Sequence, residues 1–247
     1  MMHRFALILT LFACLLTPLA AQDTDTQLQE LPEWLLEFSN VEPQDKDTYI
    51  QEFREAKTAY VLSDWVGCEL HLNNCEMIFK GNPAIWNLRC SALIEQSRLA
   101  EAEAELQKAQ KALPNDDVTL MNLANLYLAK KEYAASIEHI TSILDKIPYV
   151  QEGLRDTLTF RVVLCHLMLG QESEARELVK DKSPLSDTPL YYFSKAALSI
   201  YKGDRKGAMQ SINSCNRIFA KTAAAIPYQR ALNISGLIEK YLPAAGS

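Results

Sequence analysis

The sequence predicts an all-α protein, a stack of about five antiparallel helical hairpins. Three observations predict it. Glycine is scarce, 8 in 247 residues, and no segment alternates with the period of two that a half-buried strand requires. Small residues recur inside helical patterns at Cys68, Ala102, Ser136, Ala175 and Ala208, with spacings of 34, 34, 39 and 33. Twelve positions before each stands a second series: Ala56, Cys90, Ala124, Val163 and Ala196.

Packing explains these positions. Two antiparallel helices of about a dozen residues cannot each bury an apolar face alone, so neighbouring hairpins stack. Where two axes approach to about 8–10 Å, only a small side chain fits between them. Four positions after each first-series residue comes an apolar one: Leu72, Leu106, Ile140, Val179 and Ile212. Ser63-Asp64, Gly170-Gln171 and Gly203-Asp204 mark turns, and Pro114 and Pro148 close two units at the same phase.

The elements follow in chain order. Residues 1–21, MMHRFALILTLFACLLTPLAA, place one cation, Arg4, before an apolar run and end on Pro18, Ala20 and Ala21. This is the layout of a secretory leader cleaved after Ala21. Its apolar run is shorter than the ~20 residues of a spanning helix. The expectation is export to a periplasm or to the outside. An alternative makes Cys14 a lipid-anchored N-terminus, but Phe12 is bulky for that motif and the apolar run continues past Cys14. Residues 22–48 are polar and acidic, contain Pro32 and Pro43, and read as a linker. The island LPEWLLEF at 31–38 reads equally as a short docking helix or as an N-terminal turn.

From residue 49 the repeat begins, and here the chain resembles the tetratricopeptide repeat (TPR) family. The copy at 83–116 has Trp86, Ala102, Leu106, Ala109 and Pro114 in the family's positions. The copy at 117–150 has Leu120, Leu123, Ala124, Tyr127, Ile140 and Pro148. Less regular copies occupy 49–82, about 156–188 and about 189–222. Glu52 and Arg89 stand where apolar residues are usual, about five extra residues separate the third and fourth copies, and Lys182 before Ser183-Pro184 shortens a second helix. LNISGLIEKYL at 232–242 resembles the first helix of a sixth copy, so about 226–242 is expected to cap the stack. The resemblance implies an α-solenoid, a right-handed superhelix over 49–242. The first helix of each hairpin would line a concave face and the second a convex one.

The resemblance also implies function: such proteins hold peptides, helices or partner domains and rarely do chemistry. The groove positions would fall on Thr157, Phe160, Leu164, Leu167 and Met168 in the fourth copy. In the fifth they would fall on Leu190, Phe193, Ala197, Ile200 and Tyr201. The run FRVVLCHLMLG at 160–170 is apolar nearly all round, so a second cover is expected beyond the hairpin itself. That cover is a partner helix or apolar peptide, or the 31–38 island, unless tight curvature closes the strip. The earlier groove is more polar, with Asn87, Ser91, Asn122 and Asn125, and Arg161 beyond. Only Asn122 and Arg161 match the carboxylate clamp that some TPR domains carry.

Other functions find little support. The composition, 48% hydrophobic and 23% charged, is globular. The chain carries −6, and loss of residues 1–21 leaves 24 cations against 31 acids, or −7. Such a chain lacks the basic stripe that phosphate binding needs. No second long apolar run exists, so no span is expected in the mature chain. His71 and His139 share one repeat phase and are expected to point outward on different hairpins, with His166 in the packing layer. No metal, cofactor or catalytic constellation emerges, and Gly203 to Gly207 is a turn with no strand before it. Most cysteines sit where small residues pack. Cys68 and Cys75 lie about 10.5 Å apart on one helix and cannot bridge, whereas Cys75 and Cys90 remain able to pair. Asn233-Ile234-Ser235 matches a glycosylation sequon inside an expected helix. The expectation is a non-enzymatic scaffold with a protein partner. Self-association through the solenoid, or an enzyme with a groove site, is the alternative.

Overall fold

The computed structural model describes residues 32–146, 152–185 and 188–243. The expected leader, with Cys14, and the first ten residues of the expected linker lie outside them. Among the described residues there are thirteen helices and no strand.

The chain divides at Asn40 into two compact units. In the first, Glu33–Ser39 forms α1, started by Pro32 and ended at Asn40, whose N–H returns to the Glu37 carbonyl.

The second unit, from Val41, holds five hairpins. They are α2 (Pro43–Val61) with α3 (Trp65–Ile78), and α4 (Pro83–Glu95) with α5 (Leu99–Ala112). Then come α6 (Asp117–Ala129) with α7 (Tyr133–Lys146), α8 (Glu152–Met168) with α9 (Glu172–Glu177), and α10 (Leu190–Tyr201) with α11 (Arg205–Ile218). The linker expectation is corrected at its end: Pro43 opens α2 at the first helical turn, where its missing N–H is harmless. The fourth repeat likewise begins earlier than 156, with α8 starting at Glu152. Its second helix, α9, is only six residues long.

Both series of small residues sit at the packed contacts. Ala56, Cys68, Cys90, Ala102, Ala124, Ser136, Val163, Ala175 and Ala196 have no exposed surface, and Ala208 has 3%. Each hairpin turns by the same device. Ser63, Ser97, Lys131, Gly170 and Gly203 take a left-handed backbone. The following residue's N–H then bonds a carbonyl five positions back, as Asp64 does to Ala59 and Asp204 to Ser199. Asp64 and Asp204 go on to cap the next helix by accepting from the Gly67 and Gly207 N–H.

Each first helix packs on the next first helix, giving a continuous row α2–α4–α6–α8–α10. The second helices form no such row among the described residues, which makes the first helices the tighter, inner wall. Arg89, at an ordinarily apolar position, ties three helices. It bonds Asn73 at 3.0 Å and Glu76 at 2.9 Å on α3, and lies 3.7 Å from Glu105 on α5. Burial opposes its charge, but the Glu76 hydrogen bond and the charges of Glu69, Glu76 and Glu105 outweigh that and hold its pKa above the ordinary value.

The C-terminal segment departs from the sequence expectation. It forms α12 (Ile226–Ile234) and α13 (Leu237–Tyr241), broken at Gly236, whose φ is +77°. A cap would stack on the last hairpin. Helix α13 does so, packing on α10, but α12 packs also on α4, α6 and α8, the first helices of three earlier hairpins. The aromatic and apolar strip on the first helices gains a second cover from α12, and Tyr228, Ala231 and Leu232 supply it.

Candidate functional site

The aromatic part of the inner wall is built from α8 and α10, with α12 lying on it. Phe160 and Phe193 face Tyr228 at ring-centroid distances of 5.4 and 5.5 Å, and each other at 5.8 Å. Phe160, Leu164, Leu167, Phe193 and Ala197 are fully buried, and Ile200 nearly so. Met168 and Tyr201 pack partly buried against the same cluster. The residues expected to line a groove are therefore packed together, Phe160 and Phe193 against Tyr228 of α12 and Tyr201 against Tyr241 of α13.

The polar positions are engaged within the wall. Arg161 is buried, donating from Nε to Asn125 at 2.7 Å and from Nη1 to the Thr157 carbonyl at 2.7 Å. Burial pushes its pKa down to about 10. Asn122 donates to the Asn87 carbonyl at 2.9 Å and accepts from Ser91 at 2.7 Å. Asn87 in turn donates to Thr119 at 2.9 Å. These bonds join α4 to α6, so Asn122 belongs to the joint between repeats and offers no free donor to a carboxylate.

Sequence reasoning missed Arg230. Arg230, projecting from α12, donates to the Tyr60 carbonyl at 2.9 Å, lies 4.0 Å above the Tyr60 ring and reaches Glu95 at 3.3 Å. It also sits 5.8 Å from the centre of Trp65. It sits at the C-terminal end of α2, where the helix dipole favours a cation. Burial raises the Glu95 pKa in spite of Arg230. The only sequence signal was the spacing of Tyr228, Ala231 and Leu232 along one helical face, which a capping helix would share. The other end of the segment is tied separately. Tyr133 donates to the Ser235 carbonyl at 3.0 Å, Lys240 to Met168 at 3.0 Å and Tyr241 to Leu167 at 3.4 Å.

The remaining candidates are structural. Cys68, Cys75, Cys90, Cys165 and Cys215 are all free and buried. Burial raises their thiols to about 11 or 12. The histidines do not simply point outward. His71 meets Glu52 at 2.8 Å, which with Asn74 explains the polar residue on α2. The His139 ring lies 5.7 Å from Tyr127, and burial lowers its pKa. His166 bonds Gln171 at 2.7 Å. Among the described residues, no three or more His, Cys, Asp or Glu converge as metal ligands. No helix there is long and apolar enough to cross a membrane.

The fold and this inner wall define a TPR-like α-solenoid. Among solved structures, the chain is similar to PilF of Pseudomonas aeruginosa, a TPR-containing protein, with a TM-score of 0.53 and 12% identity. The match covers 82% of this chain and 95% of that one. No family model matches the sequence, and no curated protein matches it.

Proposed function

We propose that this protein is a non-enzymatic scaffold of the cell envelope whose inner wall holds a helix of a partner protein. One observation carries the reading: the wall already holds a helix, α12, through an aromatic cluster, an arginine seat and an ion pair. The leader-like residues 1–21 support the envelope location. The test is purification of the tagged full-length chain from the envelope fraction of its own cells. A partner of fixed stoichiometry that is lost with Glu95→Lys and kept with Met77→Lys supports the reading. A mature N-terminus other than Gln22 would move the cleavage site, and a cytoplasmic chain would end the envelope part.

A second reading is favoured by a different surface. Val66, Leu70 and Met77 on α3 are 82%, 57% and 84% exposed and recur at helical spacing. This stripe suits self-association through the outer side of the first hairpin. Copies that associate without any partner, and separate with Met77→Lys, favour it.

A further inference from the structure

We infer that α12 is a displaceable latch, and that the partner enters by exchanging its own helix for α12. This rests on the scaffold reading and names both the partner's chemistry and the regulation of the site. The partner helix presents an arginine to the Tyr60–Trp65–Glu95 seat and, about two residues before it, an aromatic ring to Phe160 and Phe193.

Four features of the fold lead here. Helix α12 is nine residues long, too short to hold its own helical structure in water, so it keeps its shape only while seated. It lies between two joints. On one side residues 220–224 are exposed and non-helical. On the other Gly236 takes a left-handed backbone with no side-chain atom closer than 3.6 Å to where a Cβ would stand. Helix α13 has its own attachments, Lys240 to Met168 and Tyr241 to Leu167, so α12 can leave while the chain end stays in place. Finally, an occupant that covered Glu95 without a cation would leave its carboxylate buried and unpaired, so the wall favours one that restores the arginine. The apparent affinity of the partner is then its intrinsic affinity reduced by the fraction of molecules whose α12 is out.

The test uses a fluorescein-labelled peptide of residues 224–236 and the full chain, read by fluorescence anisotropy. Arg230→Ala in the chain weakens the latch and leaves the wall intact, so the peptide should bind that chain at least tenfold tighter than the unaltered one. The same peptide carrying Arg230→Ala should bind it at least tenfold more weakly. Equal affinities in either comparison overturn the inference. If the altered chain does not fold, hydrogen exchange on the unaltered chain decides. Amides of 228–234 should exchange at least a hundredfold faster than those of 163–167 in α8. Equal rates would mean that α12 is a permanent part of the core, which overturns the latch. The scaffold reading would survive that result, because it stands or falls on the purified complex.

Discussion

Arg230 of α12 meets Glu95 of α4 at 3.3 Å, with the two side chains only 14% and 15% exposed. Burial raises the Glu95 pKa, and the attraction of Arg230 only partly offsets it. A group whose folded pKa is raised contributes fully below its unfolded value and loses that contribution as pH rises through the folded value. Arg230→Ala should therefore cost about 2–3 kcal/mol at pH 7, by leaving a buried charge unpaired. The loss should shrink toward pH 4, where Glu95 is protonated. Glu95→Gln should cost less than Arg230→Ala, because the guanidinium it leaves without a carboxylate keeps the Tyr60 carbonyl and ring. Urea unfolding of both variants across pH 4–8 checks the sign and the order.

The small-residue positions give a second prediction. Ala102 and Ala124 have no exposed surface and sit where helices meet. Leu at either should overpack the contact by about 1–3 kcal/mol. Leu at the exposed Ala104, on the same helix as Ala102, should change stability by less than about 0.5 kcal/mol. Thermal melts of the three variants decide whether the contact or the helix is responsible.

The turns give a third. Ser97 holds a left-handed backbone at φ 59°, a conformation that costs a non-glycine residue roughly 1–2 kcal/mol. Ser97→Gly should raise stability by about 0.5 kcal/mol, part of the relief being lost to the freer unfolded chain. Gly203→Ala should lower it by about 1 kcal/mol. Nothing lies within 4 Å of the Cβ it adds, so that loss reports on the backbone alone. Paired denaturant curves measure both.

Thiol chemistry gives a fourth. All five cysteines of the described residues are buried and free, with pKa values pushed up to about 11 or 12. None should react with a disulfide reagent at pH 7 in the folded chain, and all five should react after unfolding without reductant. Three thiols after unfolding would mean that Cys75 and Cys90 are bridged.

The repeat was legible because it is written in local terms. A side chain such as Ala102 or Cys90 must be small wherever two helices touch, and that demand recurs with every hairpin. The apolar strip from Phe160 to Met168 likewise announced its need for a second cover. Its occupant was not legible. Ile226 to Ile234 reads as the same amphipathic helix whether it caps the end or enters the groove. Tyr228 has no mark in the chain that points to Phe160 and Phe193, and Arg230 none that points to Tyr60 and Glu95. The polar residues misled for a related reason: Asn122 and Asn125 looked like open donors, and their bonds to Asn87, Ser91 and Arg161 exist only once α4, α6 and α8 are side by side.

By itself, then, the sequence determined an all-helical stack and the turns at Ser63, Gly170 and Gly203, since each depends on periodicity and on steric demands within some thirty-four residues. Only the tertiary structure decided that α12 lies along the inner wall. That placement comes from contacts between residues far apart in the chain, such as Arg230 with Tyr60 and Glu95. Burial and ion pairing at such distances depend on which surfaces the folded stack has left uncovered.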